Sequence, residues 1–279
     1  MDVAIIAETR SEDIKKLLDA FKARKLSADF VDVGSVGVIV EKNVSSIFHD
    51  QKPFEEYNSV FLSLPAEFTL FAEPFLSELV DMGTYCQLKP TSYYILSNKP
   101  YMYSTLNSKG VKIPKTDILA DKETIESSLK AFSYPMIVKT FVGLKKTNSV
   151  LLESERSLRS FVKSISVKID AITIQEYIEG DVDQSLVIGE EVFSIKRKWV
   201  EKDLSHSKKP VSVKLSDEHR EMAIKAAKVC GVDIGVVKII EGKVTNVRTR
   251  IDFNMFNETL SKNMYEKVAS HYESVVKGK

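Results

Sequence analysis

The chain has 279 residues, of which 43% are hydrophobic and 28% are charged, and its formal net charge is +1. These values are typical of a globular protein, so they exclude extensive disorder, and the near-zero charge disfavours nucleic acid or a membrane as a partner. Its two cysteines, Cys86 and Cys230, show neither disulfide-framework nor zinc-site spacing. Because the N-terminus also lacks a signal-peptide pattern, we expect a cytoplasmic protein.

Short apolar strands and amphipathic helices alternate in residues 1–90. The predicted elements lie at 3–7, 12–24, 29–33, 59–64 and 68–82. Strands that are joined by helical crossovers form parallel sheets, so we predict an α/β unit here. Glu8, Thr9 and Arg10 follow the first strand in place of a GxGxxG sequence, which argues against a dinucleotide site in this unit.

Residues 91–178 predict a second unit of helices and strands. Helical patterns cover 93–108, with a break at Pro100, 122–132 and 158–165, and strand patterns cover 112–119, 136–141, 149–153 and 172–178. Lys139 lies inside an apolar strand, where an unpaired ammonium is costly to bury, so it is predicted to face a cleft or an anion. The alternative is a lysine on the outward face of the strand. The following loop, with Gly143 and Lys146, is a weak candidate for a phosphate contact.

Residues 179–279 end in a cationic hairpin. Before it come a hairpin at 186–195, a basic segment at 196–199 and a helix at 217–230, and a helix at 260–276 follows it. Two β-branched runs flank Glu241, Gly242 and Lys243, which predicts a hairpin with a short glycine loop. If the predicted loop has three residues, Ile240 pairs with Val244.

The same register pairs Lys238 with Asn246 and places both on one face with Arg248 and Arg250. Like charges at cross-strand spacing repel, so three cations on one face need water, a carboxylate partner or a bound anion. The alternative interpretation is a solvated edge strand whose lysine and arginine side chains prevent aggregation.

Several of these segments together resemble the ATP-grasp superfamily. The motifs are Asn98-Lys99, YPMIVK at 134–139, IQEYI at 174–178, VIG at 187–189, AIKAA at 223–227 and the terminal hairpin. The resemblance is strongest to carboxylate–amine ligases that add glutamate to ribosomal protein tails or act on the amino-group carrier protein of lysine biosynthesis. It implies an α/β (α+β) ATP-grasp fold with an N-terminal Rossmann-like pre-ATP-grasp domain at 1–90. The ATP-grasp subdomains would then span 91–178 and 179–279, and the chain would form a homodimer or homotetramer.

The resemblance also implies roles for individual residues in binding ATP or another adenine nucleotide. Lys99 and Lys139 match the two lysines that reach the phosphates. The segment Gln175, Glu176, Tyr177 and Ile178 matches the strand that reads the adenine, and Glu179 or Asp183 would take the ribose hydroxyls. Arg197 and Lys198 match a basic pair near the phosphates and the acceptor, which makes them the candidate catalytic residues.

The sequence departs from the family at its metal ligands. Where the family has an aspartate and a Glu-x-Asn sequence, this hairpin has Lys238, Arg248 and Arg250, and neither ammonium nor guanidinium can donate a lone pair to Mg²⁺. Mg²⁺ is therefore doubtful and no metal site is expected. Our leading hypothesis is a protein that binds a nucleotide or another anion, with fixed cations in place of the metal and with weakened or lost catalysis.

Two alternatives remain. The first is an active ATP-dependent ligase that joins an amino acid to a carboxylate through an acyl phosphate, with its metal held by Asp233, Asp252 or Glu258. Asp252 is the strongest of the three, since it lies two residues after Arg250. The second alternative is a non-catalytic partner subunit whose basic cleft binds an acidic protein or peptide.

Overall fold

The computed structural model describes residues 1–42, 44–50, 52–54, 57–165, 169–200 and 205–278. Its N-terminal part contains β1 (Val3–Ala7), α1 (Glu12–Ala23), β2 (Ala28–Asp32), β3 (Val36–Glu41), β4 (Val44–His49), β5 (Lys52–Pro53), β6 (Ser59–Ser63), α2 (Thr69–Asp81) and β7 (Tyr85–Cys86), with 3-10 turns at Val33–Ser35 and Ala66–Phe68.

The parallel sheet of this part has the strand order β2-β1-β6-β7. Its central strand β1 is buried along its whole length, as expected of a strand that has helices on both faces. Ser11 caps α1 by accepting a hydrogen bond from the Ile14 backbone, and the helix buries Leu17 and Phe21 against the sheet. The antiparallel pairing of β4 with β3 and with β5 was not predicted from the sequence.

The central part contains α3 (Ser92–Ser97), α4 (Lys99–Ser108), β8 (Thr116–Leu119), a 3-10 turn at Lys122–Thr124, α5 (Ile125–Leu129), β9 (Met136–Val142), β10 (Lys145–Leu152), α6 (Glu155–Ser164) and β11 (Ala171–Glu176). The predicted break at Pro100 is confirmed, because Asn98 ends α3 and caps α4. An antiparallel sheet of order β10-β9-β11-β8 has its own core, which includes Val138, Leu158 and Ile174.

The C-terminal part contains β12 (Val182–Ile188), β13 (Glu191–Arg197), β14 (Trp199–Val200), β15 (Ser205–His206), β16 (Val211–Ser212), α7 (Asp217–Val229), β17 (Ile234–Ile240), β18 (Lys243–Arg248), α8 (Phe253–Leu260) and α9 (Met264–Lys277). Its sheet has the order β16-β13-β12-β17-β18. The predicted closing helix at 260–276 corresponds to α9, whereas α8, which Ser261 in the left-handed region separates from it, was not predicted.

The N-terminal strands and the C-terminal sheet share their cores. Ala4 and Ile6 belong to the same apolar cluster as Val237 and Ile239, while alternate residues of β1 join the cluster that contains Val236. This packing fixes the carboxyl ends of β1 and β6 close to the β17–β18 hairpin. No helix in the described ranges is both long and apolar enough to cross a membrane.

The predicted three-residue hairpin loop is wrong, although the predicted pairing of Lys238 with Asn246 is confirmed. Glu241 and Gly242 both have positive φ, of 45° and 68°, which makes a two-residue turn that pairs Ile240 with Lys243. A β-bulge at Thr245 then shifts the register by one residue. The shorter loop and the bulge shift the register by one residue in opposite directions, so Lys238 still pairs with Asn246.

Candidate functional site

A cavity of about 560 Å³ lies between the central sheet and the C-terminal sheet. We call it the interlobe cavity and define it by the polar side chains of Lys99, Lys139, Gln184, Lys238 and Asn246 that line it. These side chains come from four elements, α4, β9, β12 and the β17–β18 hairpin, so the cavity exists only in the folded chain.

Lys99 reaches this cavity from the first turn of α4. Its Nζ donates to Asn246 Oδ1 at 2.8 Å and lies 3.5 Å from the Val247 carbonyl oxygen. Burial lowers the pKa of Lys99 to about 8, and the charge of Lys139 acts in the same direction. Both of the oxygens near its Nζ are neutral, so neither of them compensates the charge of Lys99.

Lys139 enters the interlobe cavity from β9. Its Nζ donates to Gln175 Oε1 at 2.9 Å and lies 5.7 Å from the centre of the Tyr103 ring. Burial lowers the pKa of Lys139 to about 8. Neither this ammonium nor that of Lys99 forms an ion pair with a carboxylate in the described residues. Two half-buried cations thus share one cavity without a neutralising partner.

A second cavity, of about 460 Å³, continues from the first and shares Gln184, Arg197 and Lys238 with it. We call it the arginine cavity, because Arg248 and Arg250 complete its basic lining. Strand register explains the arrangement. Gln184 pairs with Lys238, Asn246 pairs with Lys238 from the other side, and Arg248 lies two residues further along the same face.

The arginine cavity contains a donor with no acceptor. Arg248 Nε is buried and has no hydrogen-bond partner among the described residues, and its Nη2 lies 3.5 Å from Gln184 Oε1. Burial lowers the pKa of Arg248 against the opposing effect of Asp252, and burial followed by the Arg248 charge lowers the pKa of Lys238. Buried donors usually have partners, so this guanidinium nitrogen is available to an acceptor, and an anion suits its cationic surroundings.

The structure separates the residues that the resemblance assigned to the nucleotide. Gln175 is buried beside Lys139, whereas the Glu176 carboxylate accepts from the Lys115 backbone at 2.8 Å and from Lys243. Tyr177 lies with its ring 6.1 Å from that of Trp199. Neither Glu176 nor Tyr177 lines the interlobe or the arginine cavity, and the same is true of Ile178 and Glu179.

Asp183 faces away from both cavities. It alternates with Gln184 on β12, so its carboxylate lies on the opposite face, 3.5 Å from Lys196 and 3.7 Å from His219. The expected ribose contact therefore does not fit this side chain. Arg197 lines both cavities, with Nε donating to the Ser207 carbonyl at 2.6 Å, while Lys198 is exposed and lines neither.

Asn246, whose side-chain oxygen accepts the hydrogen bond from Lys99, was predicted to lie on this face but not to take part in binding. The only sequence signal for it was the hairpin register, which sets it opposite Lys238. Tyr103, which lies beneath Lys139, had no signal at all because α4 and β9 meet only through tertiary packing.

The described residues in this region do not form a cluster that would hold a divalent metal by itself. Within the described ranges, no group of three or more His, Cys, Asp or Glu side chains could hold one. Asp252 lines the arginine cavity but caps α8 through the Met255 backbone at 3.0 Å. Asp233 is bound by His271 and Tyr85, and Glu258 is exposed and lines neither cavity.

The sequence and the fold were compared with known proteins. At 26% identity over 249 residues, the chain is similar to a "Probable alpha-L-glutamate ligase" of Marinomonas sp. (strain MWYL1), with 84% of this chain and 83% of the relative covered. The match to a relative of the same description in Vibrio atlanticus (strain LGP32) has 25% identity over 281 residues and covers 96% and 93%.

Two solved structures share the fold. ATP-grasp ligase PsnB, complexed with minimal precursor, Mg and ADP, has a TM-score of 0.76 at 17% identity, and 99% of this chain and 98% of that chain are covered. Macrocyclase MdnC from Microcystis aeruginosa MRC, bound with precursor peptide MdnA, has a TM-score of 0.69 at 13% identity, covering 97% and 98%. The predicted ATP-grasp fold is confirmed.

A family model, the RimK-like ATP-grasp domain, matches residues 96–271, which is more than half of the chain. This confirms the resemblance that the motifs indicated. The protein belongs to the RimK-like ATP-grasp family, whose relatives include ATP-dependent ligases.

Proposed function

We propose that this ATP-grasp protein binds ATP with its phosphates in the interlobe and arginine cavities, using fixed side-chain cations where relatives use a divalent metal. Lys99 and Lys139 bind the phosphates from one side, and Lys238, Arg248 and Arg250 supply the positive charge from the other. The observation that supports this proposal is the Arg248 Nε, which lies among cations and has no hydrogen-bond partner among the described residues.

Energetics favour an anion in this position. Burial lowers the pKa values of Lys99, Lys139 and Lys238, and repulsion from a neighbouring cation adds to the effect at each of them. A polyphosphate would remove this repulsion and accept hydrogen bonds from all of them. Arginine suits this task, because its planar fork binds two phosphate oxygens at once and stays charged at any physiological pH.

The adenine is assigned to the interlobe strand by family resemblance. Glu176 at the end of β11 is tied to the β17–β18 hairpin through Lys243, so the strand end and the cation-bearing hairpin are held together. In this proposal the chain's own residues bind and orient the nucleotide. Without a metal to bridge the phosphate oxygens, turnover is weak or absent.

The second candidate function is an active ATP-dependent carboxylate–amine ligase, and the comparisons favour it over a loss of catalysis. The relatives bear the name of a ligase, and PsnB was solved with Mg and ADP. In this chemistry the γ-phosphoryl group passes to a carboxylate, and an amine then displaces phosphate to form an amide. PsnB and MdnC were solved with precursor peptides, so a peptide is the substrate or partner to test.

Calorimetry separates the two candidates. ATP is titrated into the wild-type protein with Mg²⁺ and with EDTA, and ADP release is then measured with glutamate and an acidic peptide present. Binding in EDTA without ADP release supports the first candidate. Binding that needs Mg²⁺, with ADP release, supports the ligase. Absence of ATP binding under both conditions contradicts both and leaves the non-catalytic partner subunit, whose basic cleft holds the acidic peptide itself.

A further inference from the structure

The side chain of Gln175 lies inside the central sheet. Gln175 is only 4% exposed, and it lines neither the interlobe cavity nor the arginine cavity. Its strand, β11, lies between β9 and β8, and Gln175 is directly opposite Thr116 of β8. The amide therefore contacts protein groups on the two neighbouring strands, and we assign the side chain to those groups rather than to a ligand.

Three hydrogen bonds in series connect Lys139 to the backbone before β8. Lys139 Nζ donates to Gln175 Oε1 at 2.9 Å, and Gln175 Nε2 donates to Thr116 Oγ1 at 2.9 Å. The Thr116 hydroxyl in turn donates to the Pro114 carbonyl oxygen at 2.8 Å. We call these groups the Lys139 hydrogen-bond network.

The direction of each bond in this network is fixed by its last member. The Pro114 carbonyl oxygen can only accept, so the single hydroxyl proton of Thr116 is used there. Thr116 Oγ1 is then left as an acceptor, which selects the amide nitrogen of Gln175 and turns the amide oxygen towards Lys139. A flipped amide would oppose two acceptors at Thr116 and two donors at Lys139. The network therefore has one arrangement that satisfies every group.

The acceptor that Gln175 offers to Lys139 is neutral. An amide oxygen orients the ammonium without cancelling its charge, whereas a carboxylate in the same place would form an ion pair with it. Burial lowers the pKa of Lys139 to about 8, so the ammonium is charged at neutral pH, and it has no counter-charge among the described residues. A phosphate in the interlobe cavity would supply that counter-charge.

The Tyr103 ring is a second contact of the Lys139 ammonium. Its centre lies 5.7 Å from Lys139 Nζ, within the distance of a cation–π interaction. The Tyr103 hydroxyl donates to the Thr245 carbonyl oxygen of β18 at 2.9 Å, and α4 carries both Tyr103 and Lys99. The position of the Lys139 ammonium is thus fixed relative to Lys99 and to the β17–β18 hairpin.

We propose that Gln175 and Thr116 are positioning residues, which aim the Lys139 ammonium into the interlobe cavity and leave its charge available to an anion. Neither residue lines the interlobe or the arginine cavity, so both act through Lys139. This role rests on the proposed function, in which Lys139 binds the ATP phosphates. It moves the side chain of Gln175 from the nucleotide to the lysine.

An NMR titration of the whole chain, with isotope-labelled lysine, tests this role without ATP. The signal of Lys139 is assigned with Lys139→Met. Gln175→Glu is expected to raise the titration midpoint of Lys139 by about one pH unit or more, because a carboxylate favours the ammonium. Thr116→Val leaves the Gln175 amide without its acceptor, so the midpoint is expected to fall, and Thr116→Ser should restore it.

Calorimetry with ATP at pH 7, in the medium in which the wild type binds it, tests the consequence for binding. ATP affinity is expected to fall at least about fivefold in Gln175→Glu and in Thr116→Val, and to keep its wild-type value in Thr116→Ser. If the wild type does not bind ATP, the proposed function fails, while the midpoints of Lys139 still decide whether Gln175 and Thr116 position it.

Thr173→Val is the matched control. Thr173 is a buried threonine of the same sheet, directly opposite Lys139, and its Oγ1 has no hydrogen-bond partner among the described residues. The substitution should change neither the midpoint of Lys139 nor the ATP affinity. An unchanged midpoint in both Gln175→Glu and Thr116→Val, or an equal shift in Thr173→Val, overturns the proposal.

Discussion

Lys238 lies directly opposite Asn246 in the antiparallel pair of β17 and β18, and the Asn246 amide oxygen accepts a hydrogen bond from Lys99 Nζ at 2.8 Å. This cross-strand pair is where oxygen ligands from neighbouring strands could bridge a metal. In this chain one member is a cation and the other already binds a lysine. As it stands, the pair therefore offers a metal only one amide oxygen, which already accepts a hydrogen bond.

The first prediction introduces carboxylate ligands at this pair. In the double variant Lys238→Asp with Asn246→Glu, two carboxylates face each other across the strands, which provides the ligand type that Mg²⁺ requires. We expect ATP affinity to become Mg²⁺-dependent by at least about tenfold, measured by titration with Mg²⁺ and with EDTA. A double variant whose ATP affinity is the same in both media would contradict the assignment of this pair.

The second prediction concerns pH. Free Lys99 and Lys139 have pKa values of about 8, lowered by burial, so each is about nine-tenths neutral at pH 9 and charged at pH 7. Bound phosphate favours the charged form, so binding near pH 8 takes up protons and affinity falls as pH rises through about 8. Titrations at pH 7 and pH 9 should differ by about tenfold or more.

Proton uptake gives an independent check on the same groups. Binding heats at pH 8 in two buffers with different ionisation enthalpies should differ in the sense of uptake. Lys139→Met removes one of the two groups and should reduce the difference. Equal heats in both buffers would show that neither lysine changes its protonation on binding.

The third prediction separates stability from binding at Arg248. Arg248→Met removes a buried, unpartnered donor from a cluster of cations, so we expect the free energy of unfolding to rise by about 1 kcal/mol. ATP affinity in EDTA should fall, because a phosphate contact is lost. Denaturant unfolding and calorimetry measure the two effects. Arg156→Met, on the exposed face of α6, is the control and should leave ATP affinity unchanged.

The fourth prediction tests how closely β18 must approach β17. A Cβ at Gly235 would lie 2.6 Å from Val232 Cγ1 and 2.8 Å from the Arg248 carbonyl oxygen. Because a backbone atom cannot rotate away, Gly235→Ala should displace β18, destabilise the protein by about 1–3 kcal/mol and weaken ATP binding.

Gly83→Ala is the control for this substitution. Gly83 has φ of +71°, and a methyl group added there would have nothing within 4 Å, so alanine costs only about 1 kcal/mol of backbone strain. ATP affinity should not change. If Gly235→Ala binds ATP as well as Gly83→Ala does, the position of β18 does not control the site.

The helices and strands of this protein were largely predictable, because capping residues, periodicity and proline act locally. Asn98 and Pro100 divide α3 from α4 as their sequence predicts, and the alternation of β17 and β18 placed Lys238 and Asn246 on one face. Residues 36–53 were the exception. Their strands form a small antiparallel sheet beside the main one, and the pattern of the segment did not distinguish it from a loop.

The sequence by itself determined the order of elements, the family motifs and the cationic character of the terminal hairpin, since each depends on neighbouring residues. Only the tertiary structure decided which side chains line the same cavity. Asp183 faces away from the cavities because the pleat of β12 turns it there, and Lys99 donates a hydrogen bond to Asn246 although 146 intervening residues separate them. Such contacts arise from packing between distant segments, which no local pattern encodes.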